Sequence, residues 1–191
     1  MKKLNWKEIF LPAAALTVIC LVVTAALGLT NELTKGPIAV LQEETEIASR
    51  QKVLPKAQEF TEIEYEGLPK SPYEGRDASG QLVGYVIVTQ AKGYGGAVQV
   101  MTGIDASGTV TGVNILSHSE TVGLGANAAK PEFTDQYQKP IPEEGFVVEK
   151  NGKDGDAIQA LTGATITSNA VTDAVNSAVK VYEELSGKGE A

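Results

Sequence analysis

The sequence predicts an α+β fold, a small domain of mostly antiparallel sheet flanked by helices and preceded by one apolar span. Three observations predict it. An uncharged run of 21 residues lies near the N-terminus, three strand-like segments follow one another across tight turns, and an amphipathic stretch closes the chain. Sequential strands with helices at the ends fit an α+β arrangement, whereas a doubly wound parallel sheet would alternate strand and helix.

The run Ile9 to Leu29, "IFLPAAALTVICLVVTAALGL", is long enough to cross a hydrocarbon core of about 30 Å. Pro12 falls in its first turn, where a missing N–H costs little. A cleaved signal would have a shorter apolar core, roughly 7–15 residues, so the length favours a retained anchor. Ile19 before Cys20 is too bulky for a lipoprotein signal. Lys2, Lys3 and Lys7 precede the span with Glu8 alone against them, which predicts a cytoplasmic N-terminus and an extracytoplasmic remainder in a single-pass inner-membrane protein. Residues 1–30 hold +2 of the formal net −8, leaving −10 on the external part. An acidic domain offers no basic stripe for nucleic acid. The lone cysteine, inside the span, excludes internal disulfides and cysteine-ligated clusters, and the lone histidine, His118, excludes multi-histidine zinc or haem sites.

After the span, residues 31–60 read as a helical stalk, helical from about Pro37 to Phe60 with Ile38, Leu41, Thr45, Ala48 and Val53 along one face. Pro37 suits a first-turn position, and Pro55 should kink or end the helix. Residues 61–191 form the folded domain. Its first part, "GLPKSPYEGRDASG", is turn-rich. Residues 81–90, 96–105 and 109–118 are strands, the last two joined by a hairpin turn at Asp105-Ala106-Ser107-Gly108. A loop with a short helix covers 119–140, and 145–150 forms a short strand before the turn "NGKDGD". A helix near 168–186 closes the chain, with Val171, Ala174, Val175, Ala178, Tyr182 and Leu185 in one stripe.

Three segments could carry chemistry. "AKGYGGAVQV", with Tyr94 and Gly95, has glycines that let a ligand approach the backbone, but it matches neither a phosphate-binding Walker loop nor a dinucleotide fingerprint. An ordinary strand connection also accounts for it. "SHSETVGLGANA" places His118 and Glu120 on one side of a strand end, followed by Thr121, Gly123, Leu124 and Gly125. This is a proton-transfer pair, a polar cradle or a solvated surface turn. "LTGATITSNAV" sets Thr162, Thr165 and Thr167 among small residues. Thr167 or Ser168 can cap the final helix, which leaves Thr162 and Thr165 unexplained. A helix N-terminus behind small residues is a seat for a phosphate, and a hydroxyl beside it could hydrogen-bond that phosphate or be esterified to it.

"TGATITS", residues 162–168, resembles the flavinylation motif of extracytoplasmic FMN-binding domains, and "SHSETVGLG" and "GYGG" resemble segments of the same family in the same order. With the single span, the helical stalk and the chain length, the whole is similar to the G-type subunit of Rnf electron-transport complexes. The resemblance implies covalent FMN in phosphoester linkage to Thr165, attached by a separate Mg²⁺-dependent flavin transferase that consumes FAD and releases AMP. It implies a role as an electron carrier with no turnover of its own, partnered by other subunits of an ion-translocating ferredoxin:NAD⁺ oxidoreductase. Thr162, Gly163, Ala164, Thr167 and Ser168 would surround the attachment point. Tyr94, Gly95, His118, Glu120, Thr121, Gly123, Leu124 and Gly125 would line the flavin slot. Two positions depart from the family pattern: Gln159 stands where an aspartate is usual, with Asp156 three residues upstream, and Val122 stands where a proline is usual. Alternatives are the C-type subunit of a Na⁺-translocating NADH:quinone oxidoreductase, a stand-alone surface flavoprotein, or an anchored binding module without redox function.

Overall fold

The computed structural model describes residues 6–150 and 157–187. The basic start at Lys2 and Lys3 and the turn at 151–156, with Asp156, lie outside the described residues. Contacts divide the chain into two units, one ending at Thr45 and the other beginning at Glu46.

Helix α1, Trp6–Val53, supplies the first unit. Its stretch Phe10–Ile38 is long and apolar enough to cross a membrane. Pro37 does not start a second helix as expected but lies inside α1, as does Pro12. Proline already holds φ in the helical range and forfeits only its own N–H bond, so helix-forming residues on both sides carry the helix across. The helix ends at Val53, not near Phe60. Pro55 disfavours helical backbone at Leu54, whose N–H makes a last helical bond to the Arg50 carbonyl at 3.0 Å.

The second unit is built on a five-stranded antiparallel meander: β1 (Glu59–Glu62), β2 (Tyr73–Arg76), β3 (Leu82–Lys92), β4 (Ala97–Asp105) and β5 (Val110–Ser117), in that spatial order. β1 falls at the end of the expected stalk helix and β2 inside the turn-rich stretch, because "EFTE" and "YEGR" are short, charged edge segments with little strand signal of their own. The β4–β5 hairpin forms as expected. The Asp105 side chain closes it by accepting the backbone N–H groups of Ser107 (2.9 Å) and Thr109 (3.0 Å). Between β5 and the last helix lie Gly125–Ala129 (one turn of 3₁₀ helix), α2 (Pro131–Thr134) and a parallel two-stranded ladder of β6 (Val148–Glu149) with β7 (Ile158–Gln159).

Helix α3, Thr165–Leu185, packs across one face of the sheet. Val171, Ala174, Val175, Ala178 and Tyr182 are buried against Tyr85, Ile87, Val98, Val100 and Ile104. Thr89, in the same face, donates to the Ala174 carbonyl at 2.8 Å. The opposite face is also covered: Val86, Val88 and Met101 pack on Val53, Leu54 and Ala57. Clear alternation is therefore lost in the central strands, which are buried on both sides. Gly103 and Gly112 are direct partners in the β4–β5 ladder, and the backbone of Val53 lies on the flat spot they leave.

Candidate functional site

α3 begins at Thr165. Neither Thr167 nor Ser168 caps it, contrary to the sequence expectation; its N-cap is Ala164, which offers no side-chain acceptor. Gly163, at φ +75°, turns the chain into the helix in a conformation costly for any other residue. A Cβ there would also press on Leu124 at 3.2 Å. The first helix-type bond is from Ser168 N–H to the Ala164 carbonyl, 3.0 Å. Among the described residues, the N–H groups of Thr165, Ile166 and Thr167 have no hydrogen-bond partner, and the first turn carries no acid. Such a terminus favours an anion through its free donors and its dipole.

Thr165 is half-buried at the edge of an open cleft of about 590 Å³, a size suited to a cofactor. Of the residues singled out in the sequence, Tyr94, Glu120, Thr121, Leu124, Gly125, Gly163, Ala164, Thr165 and Thr167 line it. Ile166 lines it too, and its place beside Thr165 is the one signal in the sequence that could have found it. The walls are apolar and exposed: Tyr94 is 75% exposed, and Leu124 and Ile166 are about half exposed. Uncovered aromatic and aliphatic side chains beside free backbone donors can take a planar ring and its phosphate tail.

Other predicted residues lie elsewhere. Thr162 faces a neighbouring cavity of about 350 Å³, with Gln136, Gln159 and Lys130. Gln159 is tied there by its backbone, its N–H donating to Gln136 Oε1 at 2.7 Å. Ser168 is fully buried beneath the turn; its Oγ accepts from Leu161 N–H and donates to the Ala164 carbonyl, both at 3.0 Å. Gly123, at φ +83°, and Gly95 shape their loops without lining the cleft. His118 makes no side-chain pair with Glu120. Strand β5 ends at Ser117, one residue before the predicted strand end, so 118–120 do not continue the strand, and His118 Nδ1 accepts the Glu120 backbone N–H at 3.2 Å.

Glu120 is 7% exposed and holds the cleft together. Its Oε1 accepts the Gly95 N–H at 2.8 Å, and its Oε2 accepts the Thr167 hydroxyl. The carboxylate therefore joins the Tyr94–Gly96 turn, its own loop and the first turn of α3. A Cβ on Gly125 would meet Glu120 Oε2 at 2.5 Å and Thr167 Oγ1 at 2.6 Å, so only glycine leaves room for this bond.

The FMN-binding domain family matches residues 93–180, which include every residue of the cleft. Over nearly the whole length, the chain is 40% identical to the G-type subunit of the Na(+)-translocating ferredoxin:NAD(+) oxidoreductase complex of Acetobacterium woodii, covering 96% of each chain. It is 36% identical to the G-type subunit of the ion-translocating oxidoreductase complex of Methanosarcina acetivorans, covering 95% of this chain and 98% of that one. Among solved structures it is similar to the C-type subunit of the Na(+)-translocating NADH-quinone reductase of Parabacteroides distasonis, at TM-score 0.48 and 26% identity over 61% of this chain and 59% of that one.

Proposed function

The chain belongs to the family of G-type subunits of ion-translocating oxidoreductase complexes, and from that membership we propose that it is a membrane-anchored electron carrier holding FMN in covalent linkage to Thr165. The observation that carries the proposal is the junction of three features at one point: the Thr165 hydroxyl, the free N–H groups opening α3, and the exposed apolar walls of the cleft.

The residues fit the group. The N–H groups of Ile166 and Thr167 would hold phosphate oxygens beside the ester. Gly163 and Ala164 keep the approach to Thr165 unobstructed for a flavin transferase. In that reaction Thr165 would be the acceptor of the FMN moiety of FAD, with AMP released and the hydroxyl proton lost to a base. Tyr94, Leu124 and Ile166 would flank the ring and displace water from it. Bound FMN supplies reversible one- and two-electron chemistry. The protein positions it and keeps one edge open to neighbouring subunits. Those partners are the other subunits of a ferredoxin:NAD⁺ oxidoreductase complex, where oxidation and reduction are coupled to ion movement. The lysines before the apolar span support a cytoplasmic N-terminus and an extracytoplasmic flavin domain.

The full chain, co-expressed with a flavin transferase and run on a denaturing gel, should give a band fluorescent under ultraviolet light. Thr165→Ala should give a dark band of equal abundance. Covalent fluorescence retained in that variant would refute Thr165 as the acceptor.

A further inference from the structure

Among the described residues, Glu120 is the one carboxylate or amine lining the cleft, and it is buried there without a cation. None of the ion pairs among the described residues includes it. Both of its oxygens act as acceptors, from a backbone N–H and a hydroxyl. Burying an unpaired charge is costly, and a polar neutral side chain would be a cheaper bridge between the same loops. Glutamine in particular has the shape to accept from Gly95 and donate to Thr167. The charge itself therefore calls for a role.

We propose that the Glu120 carboxylate sets the flavin's reduction potential, holding it low by placing a fixed negative charge where reduction adds electron density. This rests on the reading that FMN occupies the cleft. Electrons entering the ring bring negative charge into a partly dehydrated site already holding a carboxylate, and in such surroundings that repulsion is only partly screened. The same bonds make Glu120 a positioning residue for the Gly95 turn and for the first turn of α3. Its electrostatic effect is separable because glutamine keeps the shape.

The test is a redox titration of the full-length, covalently flavinylated protein in detergent at pH 8, with dithionite supplying electrons and buffer supplying protons, followed by flavin absorbance. Glu120→Gln should raise the midpoint potential enough to change the oxidised-to-reduced ratio at least tenfold at a fixed poise, about 30 mV for a two-electron couple. Glu120→Asp, which restores the charge, should return the potential toward that of the unaltered protein. Thr167→Val keeps the charge while removing one of the donors that partly neutralise it, and should lower the potential. It decides the matter if Glu120→Gln does not fold. An unchanged potential in flavinylated Glu120→Gln would overturn the proposal. So would a folded Glu120→Gln protein without flavin, since the carboxylate would then serve attachment alone. Failure of the underlying reading looks different: the unaltered protein would itself carry no covalent flavin.

Discussion

Thr165 and Ser168 are three residues apart, both hydroxylic and both at the start of α3, yet the structure gives them opposite work. Thr165 stands at the cleft edge. Ser168 is fully buried, linking Leu161 N–H to the Ala164 carbonyl and thereby fixing the turn that presents Thr165. It is further held from below, since Tyr137 bonds the Thr172 hydroxyl at 2.6 Å and Thr172 donates to the Ser168 carbonyl at 3.0 Å. Burial pushes the Tyr137 phenol well above its usual range, so this chain of bonds keeps its proton at any physiological pH. Ser168→Ala leaves the Leu161 N–H unpaired and should cost about 1–3 kcal/mol of stability. It should lower the thermal midpoint while covalent flavin fluorescence persists. A dark but folded Ser168→Ala protein would mean that Ser168 takes part in attachment. The sequence could not separate these two roles. Thr167 and Ser168 are good capping types, whereas the actual cap, Ala164, carries no side-chain signal. The partners of Glu120 lie 25 and 47 residues away along the chain.

The elements divide between those legible from local pattern and those made by tertiary contact. β3, β4, β5 and α3 are legible through β-branched runs, a turn with aspartate and glycine, and a helical stripe. β1 and β2 are not, because four-residue charged segments become strands only by pairing, β2 with β3 and β1 with β2. Pro55 signals where α1 ends, but nothing local marks Val53 as lying on the sheet. What seats it is the glycine pair in β4 and β5. A Cβ at Gly103 would overlap the Val53 carbonyl oxygen and stand 2.7 Å from its carbon. Both are backbone atoms, so no side chain can swing aside. Thr111 adds a hydrogen bond from its hydroxyl to the same carbonyl at 2.5 Å. Gly103→Ala should therefore destabilise the folded unit by roughly 1–3 kcal/mol through overpacking. Thermal unfolding of the purified protein would show it, and an unchanged midpoint would mean that the Val53 segment does not rest on the sheet.

At the scale of the whole molecule, an acidic chain gains from pairing its few buried carboxylates, and Glu46 is where the folded unit begins. Burial raises its pKa, but hydrogen bonds and charge from Lys70 and Arg50 outweigh that and hold it below the ordinary 4.5. Arg50 Nη2 lies 3.1 Å from Glu46 Oε1, and the guanidinium stacks 3.6 Å over the Tyr73 ring, so one carboxylate joins α1 to the Lys70 loop and to β2. A carboxylate with a depressed folded pKa stabilises the native state fully above its unfolded value and loses that contribution as pH falls through the folded one. Glu46→Gln should therefore be less stable than the unaltered protein at pH 7, by about 1–3 kcal/mol, because two cations lose their partner. The difference should narrow steadily below pH 4.5, as the native carboxyl is itself protonated. Thermal midpoints of both proteins from pH 7 to pH 3 would trace this. A gap that stayed constant over that range would show that the Glu46 charge adds nothing and that the side chain acts by packing alone.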